Sequence, residues 1–335
     1  MSEPTNKPDP DFVAAHVNVA SPRFGTRIVE ASDDFFAAKE RLILDAAPVF
    51  IDDKYDDHGK WMDGWESRRR RDGGHDWCLI KLGTPARLHG VDIDTSHFTG
   101  NFPPGASLEV CDSDPSGAAD ENWREILPQS PLQGDSHNYF AIADNQTIGW
   151  LRLHIYPDGG VARLRLYGEA VPDWPSAGDA ETELSALKNG GRVITYNDAH
   201  YGDVWAILAA GRGVNMGDGW ETRRRREPGN DWLIMALGDR GTVERVEIDT
   251  AFYKGNYPDG ASLQAADLNG VDDVDFAASS ADWVEILPRQ KLSADAIHEF
   301  DAALISAPTP VTHIRLNIFP DGGVSRLRIF GKRCP

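Results

Sequence analysis

Two stretches of the chain, "DGWESRRRRDGGHDW" at 63–77 and "DGWETRRRREPGNDW" at 218–232, each set four consecutive arginines between a Gly-Trp-Glu and an Asp-Trp. A guanidinium is a planar fork that matches the two oxygens of a carboxylate, so such a run can hold a small anion. In an extended segment neighbouring side chains point to opposite sides. Arg68 then pairs with Arg70 and Arg69 with Arg71, one pair free to line a pocket while the other meets the acidic surface. Glu66 and Glu221, two residues ahead of each run, are placed to orient an arginine. The plainer reading of the same residues is a row of salt-bridged edge arginines.

Groups able to move a proton lie close by. His75 in "GGHDW" becomes Asn230 in the second stretch, His97 becomes Phe252, and His154 becomes Asn317. A histidine acting as general acid or base would make the two halves inequivalent and favour the first. Asp94 recurs as Asp249 at the end of a strand, just before the loop "SHFTGNFPPG", whose Gly100-Asn101 recurs as Gly255-Asn256. Loops at strand ends are where scaffolds of this kind place ligand contacts, although Gly-Asn-x-Pro also suits a bare turn. No His-x-His or HExxH pattern is present. No metal ligands are therefore assigned and no cofactor is expected, with a divalent ion left open around Asp92, Asp94 and His97.

The elements that must carry these groups are written twice. "DWCLIKLG" (76–83) answers to "DWLIMALG" (231–238), "VDIDTSHFTGNFPPGASL" (91–108) to "VEIDTAFYKGNYPDGASL" (246–263), and "WLRLHIYPDGGVARLRLYG" (150–168) to "HIRLNIFPDGGVSRLRIFG" (313–331). A repeat this long is a duplicated domain rather than a solenoid unit. The expected organisation is a flexible arm over 1–23, a first repeat over 24–170, a linker over 171–190 and a second repeat over 191–335. In "WLRLHIY", Leu151, Leu153 and Ile155 alternate with polar residues, the signature of a half-buried strand. With "PDGG" as a turn, this segment and "VARLRLYG" read as a β-hairpin, and "VDIDT" and "ASLEV" as a second pair. "DDFFAAKERLILDAA" (33–47) is the one fair helical candidate of the first repeat, with Phe36, Leu42 and Ala46 on one face. The fold class is all-β: two tandem antiparallel β-sandwich domains with a few short helices.

Charge narrows the partners. Lys plus Arg number 34 against 53 Asp plus Glu, a formal charge of −19, which disfavours nucleic acid. The apolar runs are too short to span a membrane. The first residues carry no apolar export core, and three cysteines without metal spacing read as reduced thiols of a cytoplasmic protein.

The ordered set "DGWE-S/T-RRRR", "DW" before a strand ending in Leu-Gly, "D-I-D-T…GN…P", "W…EILP" and "PDGG…RLR", in two copies, resembles the allantoicase family. The resemblance implies two jelly-roll domains of the galactose-binding and discoidin type. It also implies hydrolysis of allantoate to ureidoglycolate and urea in purine and allantoin degradation. That chemistry asks for a carboxylate holder, a donor to the leaving urea and a base for water. His75, Asp94 and Glu66 are the expected catalytic residues. Arg68, Arg70, His97, Asn101, Arg223, Arg225 and Asn256 are the expected substrate contacts. The partner is then the small molecule allantoate, and a homo-oligomer is expected. The alternative is a non-catalytic jelly-roll protein that binds a small carboxylate or a carbohydrate.

Overall fold

A computed structural model describes residues 9–111, 115, 122–174, 180–268, 279–306 and 310–334. The chain divides into two compact units, 1–173 and 174–335. No helix of the described residues is long and apolar enough to cross a membrane.

Each unit is a sandwich of antiparallel strands. In the second, a five-stranded sheet runs Arg192–Tyr196, Asp231–Gly241, Val311–Phe319, Gly260–Ala266, Val284–Lys291. A four-stranded sheet runs Thr182–Glu183, Arg326–Gly331, Arg245–Asp249, Ile297–Phe300. The first unit has the same neighbours, but one 19-residue strand, Asp76–Asp94, serves both layers. Its first part pairs with Arg27–Ala31 and Thr147–Tyr156, and its last part with Arg163–Ala170 and His137–Ala141.

Period-two alternation places the core as expected. Leu151, Leu153 and Ile155 are fully buried, as are Ile80, Leu108, Val91, Ile93, Leu164 and Leu166. The hairpin expectation fails. Thr147–Tyr156 pairs with Asp76–Asp94 and Gly105–Cys111, whereas Arg163–Ala170 lies in the other layer, so "PDGG" crosses between sheets. "VDIDT" and "ASLEV" are likewise not paired with each other; Gly105–Cys111 sits between Thr147–Tyr156 and Arg124–Pro131. Alternation reports which face of a strand is buried and is silent on its neighbour.

The structure differs from the sequence expectation in three further places. The helix over 33–47 is only a 3-10 turn at Lys39–Ile43, and of the predicted face only Leu42 is buried. Tertiary bonds hold this segment extended. The Asp33 carbonyl accepts from the Trp65 indole at 2.8 Å, and the Phe36 and Ala37 amides both donate to the Glu66 carbonyl. The arm expected over 1–23 is docked from residue 9 onward; residues 1–8 lie outside the described residues. Asp11–Ala15 is helical, Val17–Asn18 pairs with Arg163–Ala170, and the Phe12 ring packs on Tyr139 and Tyr167. Of the linker expected over 171–190, the described residues from 174 onward belong to the second unit, where Leu184 and Leu187 are buried.

A short ribbon outside the main sheets leads into each arginine run. Gly160–Val161 pairs with Trp65–Glu66, and Gly323–Val324 with Trp220–Glu221. A Cβ on Gly160 would lie 2.0 Å from Cε1 of the buried Phe98 ring. Gly160→Ala is expected to cost about 1–3 kcal/mol in a urea denaturation curve. Gly100→Ala, whose Cβ meets nothing within 4 Å, is the control.

Candidate functional site

The Gly-Trp-Glu that precedes each arginine run is an anchor. Trp65 and Trp220 are fully buried, and their indoles donate to the carbonyls of Asp33 and Asp198 at 2.8 Å. The run beyond it is extended, and the structure shows which pair faces acid. The Arg68 amide donates to Asp33 Oδ1 at 2.9 Å and its Nε to Oδ2 at 2.7 Å. The Arg70 amide donates to Asp158 Oδ2 at 2.7 Å, and its side chain to Asp76 Oδ1 at 2.7 Å and Asp72 Oδ1 at 2.9 Å. The second run repeats this: Arg223 on Asp198, the Arg225 amide on Asp321, and the Arg225 Nη1 on Asp231 at 2.6 Å.

The first and third arginines, expected to contact substrate, are thus already occupied by protein carboxylates. Arg69 and Arg71, and their counterparts Arg224 and Arg226, are exposed and have no acidic partner among the described residues. The sequence separates the two pairs; which of them meets acid depends on Asp33 and Asp158, far away along the chain, as well as on the nearby Asp72 and Asp76.

Arg69 stands at the rim of two hollows. One, of about 490 Å³, is lined by Phe36, Glu66, Arg69, Asn101, Phe102 and Pro157 among others. The other is an open groove along Arg68–Arg71 with Ser32, Asp33 and Asp76. In the first, Asn101 Nδ2 donates to Glu66 Oε1 at 2.7 Å. Glu66 therefore orients the loop asparagine, not an arginine as the sequence suggested. The same pair recurs as Asn256 with Glu221.

Burial among Phe36, Phe102 and the prolines pushes the Glu66 carboxyl above its usual range, with the Asn101 bond opposing. The folded state then holds this proton at pH values where the unfolded chain has released it. Stability is fully present below the ordinary carboxylate pKa and is lost as pH rises through the folded one. Glu66→Gln, which has nothing to ionise, is expected to gain in Tm over the parent between pH 4 and 7 and to match it at lower pH. Thermal melts across that range check it.

The remaining expected residues lie apart from this hollow. Asp94 is fully buried, its Oδ1 accepting from the Ser96 amide at 2.8 Å as Asp249 accepts from Ala251. That bond lies at the end of the strand, and Asp94 Oδ2 is buried without a hydrogen-bond partner among the described residues. His97 has φ of 70°, its amide bonded to Asp135 and its Nε2 3.2 Å from the Pro48 carbonyl. Phe252 repeats the backbone at φ of 69° with Asp295, so the turn is independent of the ring. His75 lines neither hollow. Its Nε2 is 2.9 Å from His154 Nδ1, and His154 Nε2 is 2.8 Å from Glu109, which also receives Arg152. Burial holds both imidazoles below their usual pKa. In the second unit the chain is Asn230–Asn317–Gln264 with Arg315, amides standing where the first has titratable groups. Among the described residues, the ligand atoms of His16, His89 and Glu169 come within 4.8 Å of one another, but none of the three belongs to the arginine or Glu66 clusters.

The model of the family described as "Allantoicase repeat" matches residues 17–171 and 182–334. The chain is 54% identical over 335 residues to "Probable allantoicase 1" of Burkholderia mallei, covering 99% of both. The chain belongs to the allantoicase family. It is 55% identical over 319 residues to "Probable allantoicase" of Pseudomonas syringae pv. syringae, covering 94% of this chain and 96% of that one. The crystal structure of allantoicase from Saccharomyces cerevisiae superposes with a TM-score of 0.80 at 32% identity, over 96% of this chain and 95% of that one. The two sandwiches are thus two allantoicase repeats of jelly-roll type, each carrying its own arginine run and its own Glu–Asn pair.

Proposed function

We propose that this allantoicase-family chain hydrolyses allantoate to ureidoglycolate and urea at the Glu66 hollow of repeat 1. The observation that carries the reading is a half-buried carboxyl, bonded to Asn101, beside arginines that no acid among the described residues neutralises. The substrate carboxylate sits on Arg69, with Arg71 adding charge from the groove, and one ureido group reaches toward Glu66. The lone pair of the retained ureido nitrogen pushes into the central carbon as the C–N bond to the leaving urea breaks. Glu66 gives its proton to that urea nitrogen. Water then adds to the resulting C=N carbon and its proton returns to Glu66, so one molecule of water is consumed and the carboxyl is restored. Asn101 holds Glu66 in place.

His75 enters this reading as a positioning residue, not a catalytic one. Its carbonyl accepts from Arg70 Nη1 at 2.9 Å, so the His75–His154–Glu109 chain steadies the run from behind. The same reading takes the chain to act in the cytoplasm, in keeping with three free cysteines, and as a homo-oligomer, which sedimentation would check.

Urea release from allantoate is the test, and none between pH 6 and 9 would sink the reading. Arg69→Ala is expected to raise KM about 10- to 100-fold with a smaller change in kcat, as loss of one charge-assisted contact of about 1.5–3 kcal/mol implies. An unchanged KM would remove Arg69 from the site.

A further inference from the structure

The second arginine run makes a groove of its own, lined by Asn197, Asp198, Arg223–Arg226, Glu227 and Asp231, with a volume of about 350 Å³. Three features distinguish it from a solvated charge cluster. Arg224 and Arg226 lack acidic partners among the described residues, in a chain whose formal charge is −19. Asp231 lines the groove, is 1% exposed, and has Oδ1 bonded to Arg225 and Asn197 while Oδ2 has no partner among the described residues. The Arg225 Nε is buried without a described partner as well, because Glu227 makes no ion pair with it where Asp72 engages Arg70.

The groove therefore offers cationic forks for an anion beside an acceptor that lacks an N–H. A small molecule carrying a carboxylate and an N–H-bearing ureido group satisfies both. The hollow alongside has changed in character. The backbone place of Phe36 is taken by the exposed His200, whose amide donates to the Glu221 carbonyl. Phe102 and Pro104 are replaced by Tyr257 and Asp259. The apolar cover that Phe102 and Pro104 give the Glu66 hollow is reduced around Glu221, whereas the anion-holding half is intact.

We infer that repeat 2 carries a second binding groove for a ureido carboxylate, built by Arg224, Arg226 and Asp231. It rests on the proposed function only for the class of ligand.

The test is isothermal titration of the full chain with N-carbamoylglycine, which has the carboxylate and the ureido group but no aminal carbon. Two equivalents per chain are expected, falling to one in Arg224→Ala/Arg226→Ala. The double variant should melt as the parent does, since both arginines are exposed. Acetate, which lacks the N–H groups, is expected to bind this groove at least about tenfold more weakly, the value of one hydrogen bond to a charged group. One equivalent in the parent, or two in the double variant, overturns the proposal, and equal affinity for acetate overturns its ureido class. Urea release from allantoate is read separately. A chain that binds two equivalents and releases no urea keeps the groove and loses the reaction, and a chain that releases urea and binds one does the reverse.

Discussion

Glu66→Gln is expected to lower kcat for urea release about 10²- to 10⁴-fold, the range that a positioned proton donor supplies. The substitution keeps the shape of the side chain and an oxygen to receive Asn101 Nδ2, so the loop that forms the rim stays in place. What is lost is a transferable proton. KM should move little, because the carboxylate of the substrate rests on Arg69 rather than on Glu66, and a fall in kcat at constant KM marks an interaction made in the transition state. Glu221→Gln should lower turnover far less, since Tyr257 and Asp259 stand beside Glu221 where Phe102 and Pro104 line the Glu66 hollow. Steady-state kinetics on the two variants decide it. If Glu66→Gln keeps more than a tenth of the parent kcat, Glu66 is not the proton carrier. If the two variants fall equally, the chemistry belongs to both repeats.

Arg163→Leu is expected to destabilise repeat 1 by about 3–5 kcal/mol, as removal of one member of a buried ion pair does. Arg163 is fully buried, and its bonds end on three backbone carbonyls and one carboxylate oxygen. Nε donates to Ala46 O at 2.9 Å, Nη1 to Asp63 O and Ala162 O, and Nη2 to Asp63 Oδ2 at 2.8 Å. Asp63 opens the Asp-Gly-Trp-Glu that carries Glu66, so the pair ties the catalytic segment to the sheet. Against a domain stability of about 5–15 kcal/mol the loss is large. Arg326, bonded in the same way to Asp218 and Gly211, should behave alike in repeat 2. Urea denaturation measures both. Removing Asp63 together with Arg163 should recover part of the loss, because the orphaned carboxylate goes too. A loss under about 1 kcal/mol in the single variant would show that neighbours or water take over its bonds.

The duplication, the strands and their buried faces were legible because alternation and repetition are local properties of the sequence. Pairing partners were not. "PDGG" looked like a hairpin turn because Pro and Gly mark any reversal, including one that steps between layers. The helix expected at 33–47 lost to bonds that Asp33, Phe36 and Ala37 make with residues from Trp65 to Arg68. The site was half legible. Glu66, Asn101 and the two-sided run were visible, and the structure brings Glu66 and Asn101 together. That acids engage Arg68 and Arg70 was not legible for Arg68, whose Asp33 lies 35 residues away, while the Arg70 side chain binds the nearby Asp72 and Asp76 and its amide the distant Asp158. The residue types of Asp94 and His97 were legible, and their burial and backbone bonds were not, because the partners of His97 lie 38 and 49 residues away. The contrast between His75 and Asn230 was plain in the sequence. Its extension through His154 and Glu109 was not, because those partners sit on other strands.

The grip of Asp33 on the Arg68 amide and of Asp158 on the Arg70 amide gives the run a second meaning: it is a spacer that counts residues. Two clamps set two positions apart admit a single intervening residue, and that residue is the one turned outward. A lysine at 69 would change the chemistry and keep the count. Loss of any one of the four identical arginines would barely alter the composition, yet it would shift the parity of everything after it. The two clamps and the residue between them would still be arginines, but from Asp72 on each residue would move up one place and the side chains that faced in would face out. In this stretch an insertion or deletion is a more drastic edit than a substitution.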